Sequence, residues 1–177
     1  MANELTTKKK IEKVNSINGE FIQDEKFSKV AVIERHKATG NIGLGIVENF
    51  NIKGGAIAST VAHDSHNLIV IGDNDRDMII AIEELKRANG GYTVVSNGVV
   101  KGTLKLPIAG IISDKSSEYV MNTLHKMLEE AKKLHVNKDI DPFITLSFIA
   151  LPVIPEIRIT DQGLFDVTKF EFIKYNE

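Results

Sequence analysis

The 177-residue chain has no cysteine and no tryptophan, only four prolines, and no apolar run of bilayer-spanning length. Without cysteine there is no disulfide framework, no thiolate metal site and no cysteine nucleophile, a composition that suits a reducing compartment and points to the cytoplasm. A membrane helix needs roughly 18 or more consecutive apolar residues. None occurs, and the opening "MANELTTKKKIEK" lacks the apolar core of a secretory signal. An excess of either charge is missing too, since 22 Lys and Arg stand against 24 Asp and Glu, spread along the chain. With no basic stripe to follow a phosphate backbone, nucleic acid is not an expected partner.

What is present is globular material. Hydrophobic residues make up 42% and charged residues 26%, enough apolar substance at this length for one core. A (β/α)₈ barrel, at roughly 250 residues, does not fit. Residues 1–28 are polar and read as a leader or linker remnant, with "INGEF" as a short hairpin signal inside it; the folded domain is expected over 29–177. From Lys29 the texture becomes strand-length: "KVAVIER", "IGLGIVENF", "GAIASTVA" and "NLIVIG" are rich in Val and Ile and punctuated by glycine or polar clusters. Their apolar residues are often consecutive rather than alternate, which implies a sheet covered on both faces.

Two helices are legible. Asp73 or Asn74 can cap the first, Asp75 and Asp77 sit in its first turn, Met78, Ile82 and Leu85 share a face, and Gly90–Gly91 follow Ala88. The second runs from about Ser116 to His135, with Val120, Leu124, Met127, Ala131 and Leu134 in helical register. Asn97–Gly98 between Val-rich runs marks a hairpin. "DPFITLSFIALPVIP" is open between helix and buried strand, and "TDQGL" reads as a turn between two short strands. The expected fold is α+β: a mostly antiparallel or mixed sheet with two to three packed helices.

Polar side chains concentrate in two places. "ERHKATGN" sets Glu34, Arg35, His36 and Asn41 at a strand end, either as a ligand-binding group or as solvated charges. "HDSHN" sets His63, Asp64, Ser65, His66 and Asn67 before an apolar run. In an extended strand the two histidines would face opposite ways, so they share a site only if the backbone turns there. The H-x-x-H spacing lacks the helix and glutamate of a zincin, and a Ser–His–Asp triad is recognised by geometry rather than adjacency. A polar loop satisfying buried backbone groups is the competing account. Gly40, Gly43 and Gly45 fall at G-x-x-G-x-G, which is not the dinucleotide fingerprint; close backbone packing or bulges account for them. His125 and His135 read as surface residues of the second helix.

At these residues a resemblance emerges. "ERHKATGNIGLG", "GAIASTVAHDSHNLIVIG", "LPIAGIISD" and "DPFITLSFIALPVIPEIRITDQGL" together resemble the C-terminal domain of microbial adenine deaminases, of the amidohydrolase superfamily, from about Lys29 onward; Lys37–Ala38 is a minor departure. The resemblance implies part of a cytoplasmic purine-salvage hydrolase that converts adenine and water to hypoxanthine and ammonia. It also implies a divalent metal, manganese or iron, held by an N-terminal barrel with an H-x-H pair, a motif that this sequence does not contain. Hence no cofactor is expected on this chain, its expected partners are that barrel domain and adenine, and the 34–41 and 63–67 loops are expected to face the barrel. The alternatives are a non-catalytic purine-binding module or a homo-oligomerisation module that buries "FITLSFIALPVIP".

Overall fold

A computed structural model describes residues 5–18, 20–22, 24 and 26–173. In chain order the elements are β1 (Ser16–Ile17), β2 (Glu20–Phe21), β3 (Phe27–Ile33), β4 (Ile42–Glu48), β5 (Gly55–Ser59), β6 (Leu68–Gly72), α1 (Asp75–Ala88), β7 (Gly91–Ser96) and β8 (Val99–Lys105), followed by α2 (Ser117–Lys133), α3 (Pro142–Ile149), β9 (Ile157–Thr160), β10 (Gly163–Asp166) and β11 (Glu171–Phe172). Six strands form one sheet in the order β4-β3-β6-β5-β7-β8; β11-β10-β9 form a smaller one, and β1-β2 pair as a hairpin. All the strand pairings are antiparallel, which makes the fold α+β and resolves the choice between antiparallel and mixed.

The consecutive apolar runs become the centre of the large sheet, where every residue of β5 and β6 is buried. One face carries Ala31, Ala56, Ala58 and Val70, on which α1 lays Met78, Ala81 and Leu85. Small side chains here bring the helix close: a Cβ on Gly72 would meet Met78 Cγ at 2.6 Å. The other face carries Val30, Val32, Ile57, Ile69 and Ile71, packed with Met127 and Ala131 of α2, Phe143 and Leu146 of α3, and Ile159 of β9. Period-two alternation sorts small residues to the α1 side and large ones to the other.

The helix ends follow the sequence signals. The Asn74 side chain accepts from Asp77 N, and Asn89 closes α1 in the left-handed region at φ 58. Asp77 is buried, and its carboxylate accepts from Gly98 N at 2.7 Å, tying the helix start to the tip of the β7–β8 hairpin. That tip, Asn97–Gly98, has φ of 50 and 80, as a two-residue turn between twisted strands requires. The open segment is a helix because Asp141 caps it, accepting from Phe143 N and Ile144 N at 2.9 Å, with Pro142 in the first turn.

Strand β3 opens at Phe27, two residues before Lys29. Within the polar first 28 residues, β1 and β2 pair around Asn18 as the "INGEF" signal suggests, and Thr7 pairs with the segment before β9: its N–H donates to Pro155 O at 3.1 Å and its carbonyl accepts from Glu156 N at 2.8 Å.

The glycines of β4 are packing residues, as their pattern suggested. A Cβ on Gly43 would lie 1.8 Å from Thr160 O, so β4 and the β9–β10 turn meet backbone to backbone. Gly43→Ala is expected to cost about 1–3 kcal/mol through overpacking, read from urea denaturation. Gly43→Ala unfolding at the parent midpoint would show that the two sheets do not depend on this contact.

Candidate functional site

In the β3–β6 ladder Ile33 faces Leu68, so the chain leaving β3 and the chain entering β6 emerge side by side. Glu34 to Asn41 and His63 to Asn67 are those two connections. The register of two apolar strands therefore brings both sequence-predicted clusters together.

Glu34 does not point outward as a ligand group. Its Oε1 accepts from the backbone N–H groups of His36 and of Lys37, the latter at 2.8 Å, while Oε2 accepts from Thr39 N at 3.1 Å and Thr39 Oγ1 at 3.2 Å. The Thr39 amide above all, helped by those of His36 and Lys37 against some burial, draws the carboxyl down to a pKa of about 2. Glu34 is the clasp of its own loop, which turns through positive φ at Ala38 and Gly40.

The 63–67 segment turns, as a shared histidine site requires. His66 N donates to Ala62 O at 2.6 Å, and His66 itself has φ 51. The His63 and His66 rings meet edge-on at 5.9 Å, and His63 lies 5.0 Å from the Phe148 ring of α3. His63 N donates to Ser147 O at 2.9 Å, so α3 supports the turn from beneath.

Three side chains stitch the loops together. Arg35 Nε donates to His66 O at 2.6 Å, and its Nη2 reaches Ala109 O at 2.8 Å, recruiting the 107–112 loop. His36 Nε2 lies 2.7 Å from Ser65 O; a carbonyl only accepts, so Nε2 carries the proton. Asp161 takes Asn41 Nδ2 on one oxygen and Asn67 Nδ2 on the other, both at 3.2 Å. Asp161 sits in the "TDQGL" turn, and no local signal singles it out. It arrives because β4 and β9–β10 meet at Gly43.

Arg35 is partly buried, donates from Nε and Nη2 to two backbone carbonyls, and desolvation lowers its pKa. Burial, then the charges of His63 and Arg35, lowers that of His66, with Asp64 opposing. The imidazole is thereby held neutral near pH 7. Two buried polar atoms here, His66 Nδ1 and Asn67 Oδ1, have no hydrogen-bond partner among the described residues. Asp64 and Ser65 are exposed.

The arrangement does not assemble a hydrolytic triad. Ser65 Oγ accepts from Asn67 N at 3.4 Å, and His36 is engaged by the Ser65 carbonyl instead. Nor do the donors fit a metal: among the described residues no group of three or more His, Asp or Glu side chains gathers where it could hold an ion. His125 and His135 are exposed on or just beyond α2. The cluster is suited to binding and orienting a polar molecule through imidazole, amide and guanidinium groups.

The Glu34 clasp has a pH signature. Because its pKa is lowered from 4.5 to about 2 on folding, its stabilisation is complete above about pH 5 and is lost as pH falls from there toward 2. The stability gap between the parent and Glu34→Gln is expected to shrink across that window in urea denaturation. A gap constant from pH 6 to 3 would mean that the carboxylate is not held by those amides.

Comparison with known proteins gives one consistent result. The family model described as the adenine deaminase C-terminal domain matches residues 4–171. A protein named adenine deaminase from Clostridium acetobutylicum is 55% identical over 174 residues, which are 97% of this chain and 30% of the relative. One of the same name from Nitratidesulfovibrio vulgaris is 52% identical over 88% of this chain and 27% of its own length, and adenine deaminase 2 of Carboxydothermus hydrogenoformans is 48% identical over 93% and 30%. The chain thus spans less than a third of the length of these curated relatives. Among the described residues no helix is long and apolar enough to cross a membrane. With a family match over nearly its whole length, the chain belongs to the adenine deaminase C-terminal domain family.

Proposed function

We propose that this chain acts as the C-terminal part of an adenine deaminase of the amidohydrolase superfamily, in which the 34–41 and 63–67 loops line or close the purine site. The observation that supports this reading is the stitching of those two loops through Arg35, His36 and Asp161 in a chain of this family. In the reaction a water oxygen bonds to C6 of adenine. The exocyclic nitrogen takes up a proton, its bond to C6 breaks, and ammonia and hypoxanthine remain.

The divalent ion that the family resemblance implies, manganese or iron, would activate the water. In this reading it belongs to the barrel that precedes this domain. The residues described here bind and orient. Neutral imidazoles offer one donor and one acceptor each, and amides offer both, a set that matches the alternating donors and acceptors of a purine edge. His66, kept neutral by burial, and Asn67, beside it with an unpartnered Oδ1, are the groups nearest that task. The corresponding setting is purine salvage in the cytoplasm.

The test is a chimera in which this chain replaces the matching part of the Clostridium acetobutylicum relative. His66→Ala is expected to lower kcat/KM for adenine by roughly 10- to 100-fold through lost positioning, with the melting temperature unchanged. Unchanged kinetics for His66→Ala and His63→Ala would leave the loop purely structural. The isolated chain is expected to leave adenine unconverted; turnover by the pure 177-residue protein would overturn the division of labour.

A further inference from the structure

From Pro142 to Pro155 the chain carries no charged side chain. A helix on a protein surface ordinarily turns a polar face outward, whereas one that is apolar on every side belongs in an interior. The inner side of α3 is in the core through Phe143, Leu146 and Ile149. Its outer side is apolar too: Ile144 is 56% exposed, Phe148 is half-buried one turn along, and Val153 in the following turn is 65% exposed. Phe148 touches the His63 ring, so this surface adjoins the candidate site.

The path of the chain says what covers it. Arg158 is 2% exposed, and its donors go to carbonyls: Nε to Ile154 O at 2.7 Å, Nη1 to Phe148 O at 3.1 Å, and Nη2 to Pro155 O at 3.2 Å and to Leu5 O. One buried guanidinium thus fastens Leu5 to the last turn of α3 and the loop after it. Thr7 then pairs with Pro155 and Glu156, and Thr7 Oγ1 bonds Ile157 O at 2.5 Å. Leu5, itself 47% exposed, is thus tied through Arg158 to the segment that carries the uncovered face. In the relatives the matched part is 30% or less of the polypeptide, and the matching family is described as a C-terminal domain, so the larger part of each relative lies ahead of it.

We infer that the outward face of α3 and its following turn, Ile144, Phe148 and Val153 with Leu5, is the surface on which the preceding portion of the longer family protein packs, through an uncharged apolar contact that borders His63. The inference rests on the reading that this chain works as the C-terminal part of a larger enzyme. It chooses the same polypeptide's own preceding portion over a second copy of the chain, because Arg158 and Thr7 tie residues 5–7 to the segment that carries this face.

The experiment is hydroxyl-radical footprinting of the chimera described above and of the isolated chain, the latter at a concentration where sedimentation shows monomers. Ile144, Phe148 and Val153 are expected to be labelled at least roughly threefold less in the chimera, as for residues in a dry interface core. Met121 of α2 and Ile79 of α1, 69% and 59% exposed, should be labelled equally in both. Equal labelling of the three α3-side residues in both proteins would overturn the inference, as would protection in the isolated chain that grows with dimer formation. Val153→Asp is a second arm: it should leave unfolding of the isolated chain unchanged and lower the melting temperature of the chimera. If the chimera fails to fold, footprinting the full-length Clostridium relative at the matching positions gives the same decision. Protection with normal turnover in His66→Ala would remove the catalytic role of the loop and leave the surface standing; the reverse pattern would remove the surface alone.

Discussion

The constraint on which the rest depends is that the centre of the large sheet, β5 and β6, is covered on both faces. With α1 on one side and α2, α3 and the small sheet on the other, β5 and β6 have no solvent face on which to carry polar side chains. Along these two strands polar chemistry is left to the ends. Because β3 and β6 are antiparallel neighbours in register at Ile33 and Leu68, the exit of one and the entrance of the other share one end of the sheet. Two loops separated by more than twenty residues in sequence become a single surface, and the ladder hydrogen bonds between buried strands set its spacing.

Much of the fold was legible in the sequence because its signals are local. Asn74, Ser116 and the Asn97–Gly98 pair act on their own neighbours, and each does in the structure what its chemistry suggests. Segment 142–149 was open because periodicity cannot separate a helix from a strand when every side is apolar; Asp141–Pro142 decides it, a cap signal that reads clearly only once the helix is granted. The candidate cluster was half legible. Which loops are polar could be read from the sequence, but Asp161 and the 107–112 loop arrive through tertiary contacts, Gly43 against Thr160 and Arg35 onto Ala109, that no window of sequence contains. Glu34, grouped with the ligand candidates on composition, proves to be committed to its own backbone.

Two arginines show one solution to a buried charge. Arg35 and Arg158 are both partly or wholly withdrawn from water, and both donate to backbone carbonyls. Removing a guanidinium from solvent is costly, and an ion pair would offset the cost while cancelling the charge. Carbonyl dipoles offset part of it and leave the charge in place. At Arg158 the result is a joint between distant segments. At Arg35 it is a loop cluster whose positive charge persists among three imidazoles, opposed at His66 by Asp64.

The bond between Asp77 and Gly98 closes a loop of only 21 residues, whereas the one between Thr7 and Ile157 spans 150. Closing a loop costs entropy that rises with its length, and a contact cannot form before both of its ends exist. On a ribosome the helix-and-hairpin block of residues 73–105 is complete while the last third of the chain is still untranslated. The tether from Thr7 to Ile157 must wait until residue 157 has been added. Synthesis order and loop entropy thus agree: the block of α1, β7 and β8 is assembled from its own neighbourhood, and the seam that holds residues 5–7 is sewn last.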